Sequence, residues 1–293
     1  MTDSSYKPPP GRLGNLTPEQ EAALEQLKKE LKDENAFVEQ RMDDATFLRA
    51  RKFDVALAKK MLLDAEQWRK DFGVEDLIKY TSFIFTSESS HTQIFVFRNF
   101  DFAERDEVAK YYPQYYHKTD KAGRPIYIER FNNLDIAALQ KHTTFPRLLQ
   151  RLVLEYEKSF SDRLPATSKA HGHPIESFCT ILDLSHISLS NFYRVKDYVM
   201  SASSVGQDRY PETMGKFFII NAPWTFNTVW WAVKPWLDEV TVRKIDISRT
   251  GNVEGLLKEI DKENLPKDLG GTCECSGGCD KSNAGPWKTE GIH

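Results

Sequence analysis

The chain has 293 residues, 40 Lys+Arg against 43 Asp+Glu, and a formal net charge of −3. That balance excludes dependence on a broad basic face that holds nucleic acid. With 40% hydrophobic and 12% aromatic residues the chain can bury a core, which excludes global disorder, and its length suits one large domain or a small one joined to a bigger one.

Residues 1–16 are polar and Pro-rich, hold no apolar run suited to a secretory signal, and are expected to form a flexible leader. Thr17, Pro18 and Gln20 make an N-cap, a first helical position and a capping box. The helix they open runs to about Lys32, with Leu24, Leu27 and Leu31 as a narrow apolar stripe. A second helical region starts near Asp43, where two aspartates suit a helix N-terminus. A third covers residues 55–72, places Ala58, Met61, Leu62, Ala65, Trp68 and Phe72 on one face, and stops at Gly73. Residues 17–79 thus read as a helical module. The next segment, YTSFIFTSESSHTQIFVFR at residues 80–98, is β-prone and almost free of charge between charged, helix-like neighbours.

From Ala109 onward helices and strands alternate. IYIERF (126–131), FCTILDL (178–184), KFFIIN (216–221) and a short segment at 244–247 read as strands. Residues 146–161, 191–203, 224–233 and 253–260 read as helices between and after them. Strands separated by such helices imply right-handed crossovers and a mostly parallel sheet. Residues 272–293 are Gly/Ser-rich and expected to be a flexible C-terminal tail.

Sequence signatures of catalysis are missing: there is no G-x-S-x-G, P-loop, G-x-G-x-x-G or H-E-x-x-H. No enzyme activity, cofactor or metal is therefore expected. His171-Gly172-His173 reads as a pair of solvated loop histidines. CECSGGC offers three thiolates where a closed zinc site wants four ligands; Asp280 or His293 could supply one, and a surface tail is the default reading. Four cysteines do not make a disulfide framework in a chain this long, so a soluble protein of a reducing cytosol is expected. The longest uncharged stretch, 217–233, contains Asn221, Pro223 and Asn227 and falls short of the ~20 apolar residues of a bilayer span.

Apolar surface gathers at residues 225–240, where Phe226, Val229, Trp230, Val233 and Leu237 share one helical stripe. A core helix accounts for one stripe. Trp230, Trp231 and Trp236 are hard to bury together, and tryptophan suits a boundary between grease and water. Pro235 breaks the helix, which suits a segment that swings as a unit, and Thr241, Arg243 and Lys244 beyond it are donors suited to a phosphate. YYPQYYHKTD and IYIERF add polar-tipped rings, so the whole reads as a greasy cavity with hydroxyls at its mouth.

FLRARKFDVALAKKML, YYPQYYHKTDKAGRPIYIE, CTILDL, RYPETMGKFFIINAPW, KPWLDEVTVRKI and ENLPKDLGG resemble, in order, the fungal phosphatidylinositol/phosphatidylcholine transfer proteins of the CRAL-TRIO lipid-binding family. The resemblance implies an α/β fold: a helical N-terminal module, then a mostly parallel-sheet lipid-binding domain over residues 99–271 with a hydrophobic cavity and a gate helix. It implies exchange of one phosphatidylinositol or phosphatidylcholine molecule at a time between membranes, without covalent chemistry, in support of phosphoinositide synthesis and Golgi traffic. A lipid sensor serving a phosphatidylinositol kinase, or a carrier of a sterol-like ligand, are the alternatives. The partners implied are the two phospholipids, a transient membrane surface and such a kinase, with no nucleic acid; the location implied is cytoplasmic, peripheral to Golgi and endosomal membranes.

By the same resemblance the inositol-phosphate site falls on Arg51, Glu212, Thr241 and Lys244. The choline-lipid site falls on Tyr116, Tyr127, Tyr156 and Thr180, and the gate carries Phe226, Val229, Trp230 and Val233. Three departures stand out. Phe178 replaces a small or hydroxyl-bearing residue and narrows the choline-lipid cavity. DDATFLRARKF is three residues short of the family motif, a change that turns a helix by about 60° ahead of Arg51. Residues 80–98 have no family counterpart and read as a translated intron or gene-model error.

Overall fold

The structure is a computed structural model that describes residues 6–39, 45–78, 80–87, 90–97, 100–132, 134–187, 189–237, 239–249 and 252–288. The N-terminal module forms as its caps dictate. In α1 (Pro18–Asp33) the Gln20 backbone N–H donates to Thr17 Oγ1 at 3.3 Å and the Thr17 N–H to Gln20 Oε1 at 3.0 Å. The expected region near Asp43 is a helix, α2, over Thr46–Ala50; Asp43 itself lies outside the described residues. In α3 (Val55–Phe72) the Asp54 carboxylate caps Leu57 N–H at 2.9 Å, and Gly73 ends it with φ at +73°, where a Cβ would be strained. Leu24, Leu27 and Leu31 bury against Leu48, Ala58 and Leu62. The leader is not loose over residues 6–16: Tyr6 stacks on His173 at 4.4 Å, and Arg12 pairs with Glu176.

A four-residue helix, α4 (Val74–Leu77), leads to the hairpin β1 (Tyr80–Ser87) and β2 (Ser90–Phe97), which pair only with each other. The main sheet has the order β3 (Gln114–Thr119), β4 (Pro125–Arg130), β5 (Phe178–Asp183), β6 (Met214–Ile220) and β7 (Ile245–Ile247). Its β3–β4 pair is antiparallel and every later pair is parallel. The connections are helical: α5 (Arg105–Tyr111) precedes β3; α6 (Ile136–Leu139), α7 (Phe145–Lys158) and α8 (Leu164–His171) join β4 to β5; and α9 (Leu189–Ser204) joins β5 to β6. Between β6 and β7 come α10 (Phe226–Val233) and α11 (Glu239–Lys244), and α12 (Glu254–Glu259) follows.

Period-2 alternation gives the sheet two different faces. Ile126, Ile128, Cys179, Ile181, Phe218 and Ile220 pack on one side with Leu256 and Ile260 of the C-terminal region. Tyr127, Thr180, Leu182, Phe217 and Ile219 point to the other side, which is hollow. The expected flexible tail is packed over residues 272–288: α13 (Cys279–Ser282) lies along β3, and Trp287 is buried with Tyr116 and Phe178.

Glu104 ties the approach to α5 onto α7. Its carboxylate accepts from Arg147 Nη2 at 2.9 Å and Thr143 Oγ1 at 3.0 Å, and the Arg147 guanidinium holds its pKa down at about 2. A depressed carboxyl stabilises the fold above its ordinary value and loses that effect as pH falls through the folded value, here from roughly pH 4.5 toward about 2. Glu104→Gln is expected to cost about 1 kcal/mol at neutral pH and to flatten the fall of Tm across that acid window. Thermal melts at stepped pH check this, and an unchanged acid limb would count against it.

Candidate functional site

The hollow is a cavity of about 600 Å³ walled by the sheet, α7, α9, α10 and the entry to β6. Tyr116, Tyr127 and Thr180 are register partners on β3, β4 and β5, so they form one row across its floor. The Tyr116 and Tyr127 rings lie 4.8 Å apart. Tyr156 enters from α7, stacked flat on Tyr210 at 4.6 Å, its phenol pushed up to about 12 by burial. Gly206 passes so close that a Cβ there would stand 2.9 Å from the Tyr156 hydroxyl. Phe178, two residues before Thr180 at the start of β5, is buried edge-on to Tyr116 at 6.2 Å. One face of Tyr116 already holds a cation: the Arg163 guanidinium sits 4.0 Å from the ring centre.

Arg51, Glu212, Thr241 and Lys244 line the same cavity. Arg51 is the C-cap of α2, and the two residues after it, Lys52 and Phe53, have φ of +52° and +63°. Glu212 also has a positive φ, +62°, just before β6. Backbone strain of this kind in non-glycine residues gathers at functional sites. Thr241 and Lys244 are three residues apart on α11, hence on one face. Among the described residues Lys244 has no hydrogen-bond or ion-pair partner, although it is only partly exposed on a mainly apolar wall. The Arg51 guanidinium donates to the neighbouring Ala50 carbonyl at 2.9 Å.

Phe226, Val229, Trp230 and Val233 line the cavity from α10, as their stripe requires. The helix starts two residues later than the sequence reading, at Phe226, and a tight turn at Lys234–Trp236 containing Pro235 follows it. On the outside, Trp224 and Trp231 are 78% and 74% exposed. The segment therefore has a greasy inner face against the cavity and bare tryptophans on its outer side, a side chain suited to a boundary between apolar and wet surroundings. No helix among the described residues is long and apolar enough to cross a membrane.

The CRAL/TRIO domain matches residues 109–271, more than half of the chain. The chain belongs to the CRAL-TRIO family. It is 44% identical over 285 residues to the Sec14 cytosolic factor of Schizosaccharomyces pombe, a match that covers 96% of this chain and 92% of that protein. The SEC14 cytosolic factor of Candida glabrata is 46% identical over 285 residues, covering 95% and 87%. A protein named phosphatidylinositol/phosphatidylcholine transfer protein SFH4, from Arabidopsis thaliana, is 40% identical over 249 residues, 84% of this chain and 38% of that one. The solved structure of Sfh5 shares the fold at a TM-score of 0.59, with 15% identity over 82% of this chain and 83% of that one.

Within this CRAL-TRIO cavity several polar groups went unread in the sequence. Glu129 faces inward beside Tyr127; burial raises its carboxyl, and Tyr112 donates to it at 2.6 Å. The alternation Ile126-Tyr127-Ile128-Glu129 carried that signal, because positions two apart share a face. Arg49 also lines the cavity and lies 3.9 Å from Glu212, so the glutamate has a protein cation beside it. Beneath Tyr116, whose hydroxyl meets Ser159 Oγ at 2.8 Å, buried Arg163 donates to buried Glu155 at 3.1 Å.

Proposed function

We propose that this protein holds one phosphatidylinositol or phosphatidylcholine molecule at a time and carries it between membranes without covalent chemistry. The single observation that supports this most is Lys244, a partly buried ammonium on the wall of an apolar cavity with no hydrogen-bond or ion-pair partner among the described residues. An unpaired charge at such a position is costly, and an anionic headgroup would offset the cost. The names of relatives, a cytosolic factor and a phosphatidylinositol/phosphatidylcholine transfer protein, agree with this reading.

The physical task is large. A diacyl lipid leaving a bilayer exposes ~30 methylenes, at ~0.8 kcal/mol each, so free desorption faces a barrier near ~25 kcal/mol. A cavity that receives the chains as they leave replaces most of that exposure. In this scheme the gate helix opens against a bilayer, with Trp224 and Trp231 at headgroup depth, and closes over the chains in water. Arg51, Glu212, Thr241 and Lys244 receive the inositol phosphate, and Tyr116, Tyr127, Tyr156 and Thr180 receive the choline headgroup beside Phe178. Golgi and endosomal surfaces are the proposed donors and acceptors, and a phosphatidylinositol kinase the proposed user of the cargo.

Mass spectrometry of lipid extracted from the purified protein tests the proposal. Phosphatidylinositol and phosphatidylcholine, together amounting to about one molecule per chain, are expected. A sterol or isoprenoid in their place, or no lipid combined with no transfer between liposomes, would overturn it.

A further inference from the structure

The three cysteines of CECSGGC and one histidine converge on the side of β3 away from the cavity. Cys273 and Cys275 follow the glycine pair at 270–271, Cys279 opens α13, and His117 stands on β3 next to Tyr116. Ligand atoms of His117, Cys273, Cys275 and Cys279 all lie within 4.8 Å of one another. The Cys273 and Cys275 sulfurs are 3.7 Å apart. Thiolates on one tetrahedral zinc, at about 2.3 Å each, stand about 3.8 Å apart, whereas a disulfide brings sulfurs to about 2.05 Å. The observed spacing is that of shared ligands.

His117 adds the fourth ligand that the cysteine run alone lacks. Its side chain is fully buried; Nδ1 lies 3.2 Å from Ser282 Oγ, and Nε2 is buried with no hydrogen-bond partner among the described residues. A buried ring nitrogen left unsatisfied is destabilising, and metal ligation within this cluster would remove that cost. Ser282 belongs to the same short helix as Cys279, where it can orient the imidazole as outer partners of metal-bound histidines do.

We propose that His117, Cys273, Cys275 and Cys279 bind one Zn²⁺ in a closed Cys₃His site. Four protein ligands leave no open position, so the ion is structural. It staples the segment after Gly271 to the edge strand of the lipid-binding sheet. That segment also reaches β3 through the Lys118 N–H, which donates to the Ala284 carbonyl at 2.6 Å, and packs Trp287 against Tyr116 and Phe178. Because His117 follows Tyr116, the ion also fixes the strand that presents Tyr116 to the cavity.

The full chain, purified reduced and without chelator, is assayed by elemental analysis for zinc per chain. Metal-free protein is then titrated with Co²⁺ and followed by absorbance. One zinc per chain is expected, with a near-ultraviolet sulfur-to-cobalt band and the visible bands of tetrahedral cobalt. His117→Gln and Cys275→Ser should each weaken zinc binding by at least about tenfold, while Cys179→Ser, outside the cluster, leaves it unchanged. Cys275 is only partly buried, so its serine variant remains informative if His117→Gln does not fold. Zinc-free reduced protein with no tetrahedral cobalt spectrum, zinc undiminished in Cys275→Ser, or a Cys273–Cys275 disulfide in protein purified under reducing conditions would each overturn the proposal.

Discussion

Lys244→Ala is expected to slow phosphatidylinositol transfer between liposomes by about 10- to 100-fold and to change phosphatidylcholine transfer by less than about twofold. A hydrogen bond to a charged group contributes about 1.5–3 kcal/mol, and each ~1.4 kcal/mol is a factor of ten. Lys244 has no protein partner among the described residues to absorb the loss, so the whole effect falls on the ligand. The residues proposed for the choline lipid lie elsewhere, along the β3–β4–β5 row and on α7, which is why the two lipids should separate. The fold itself should not weaken, because removing a partly buried ammonium from an apolar wall relieves desolvation. Lys244→Arg keeps the charge on a bulkier, planar head and should fall between the two. Equal loss of both lipids, or no loss, would remove Lys244 from the inositol site.

Local patterning carried most of the fold into view. The α3 boundaries, 55–72 with Gly73, follow from an Asp cap, an apolar stripe and a residue free to take positive φ. The apolar stripe of α10 was legible because Phe226, Val229, Trp230 and Val233 repeat at helical spacing, and the structure turns that stripe into the cavity wall. Elsewhere local signals conflict. EVTVRK received no reading as an element; its run Val240, Thr241 and Val242 is β-branched, yet it forms α11, helped by Glu239 in its first turn and Arg243 and Lys244 in its last. Residues 146–161 read as one helix that stops; the structure continues through a wider π turn, Ser159–Arg163, into α8. Pro165 has no N–H to give to the turn before it, which accounts for the loosened ladder there.

What stayed hidden was long-range. Nothing in YYHK marks His117 as a neighbour of cysteines far along the chain, and no local pattern places Arg163 over the Tyr116 ring. Only the three-dimensional meeting of β3 with the tail and with the π turn after α7 creates those relations. The segment at 80–98 is the opposite case. Its two strands pair with each other in a hairpin that is separate from the five-stranded sheet, so alternation alone accounts for its form.

The buried pair beneath the cavity should be the costliest to break. Arg163→Met is expected to destabilise the protein by about 3 kcal/mol, a fall in Tm of roughly 6–10 °C, because it strands a buried carboxylate. Burial works to raise the Glu155 carboxyl, and the cations Arg163, Lys158 and Arg151 outweigh it, so the group lies below its ordinary range. Lys158 stands 3.7 Å away and cannot replace the charged hydrogen bond that Arg163 donates at 3.1 Å. Glu155→Gln added to Arg163→Met removes the stranded charge and should restore most of the loss, since a pair taken out together costs far less than one partner taken out alone. The acid response follows with a definite sign: a depressed carboxyl stabilises above its ordinary value of about 4.3 and loses that effect as pH falls through the lower folded value. The wild type should therefore lose stability in that acid range more steeply than the double variant. Thermal melts of the single and double variants at neutral and acid pH decide the matter: equal destabilisation of single and double variants would mean that Arg163 acts through its packing on Tyr116 and not through Glu155.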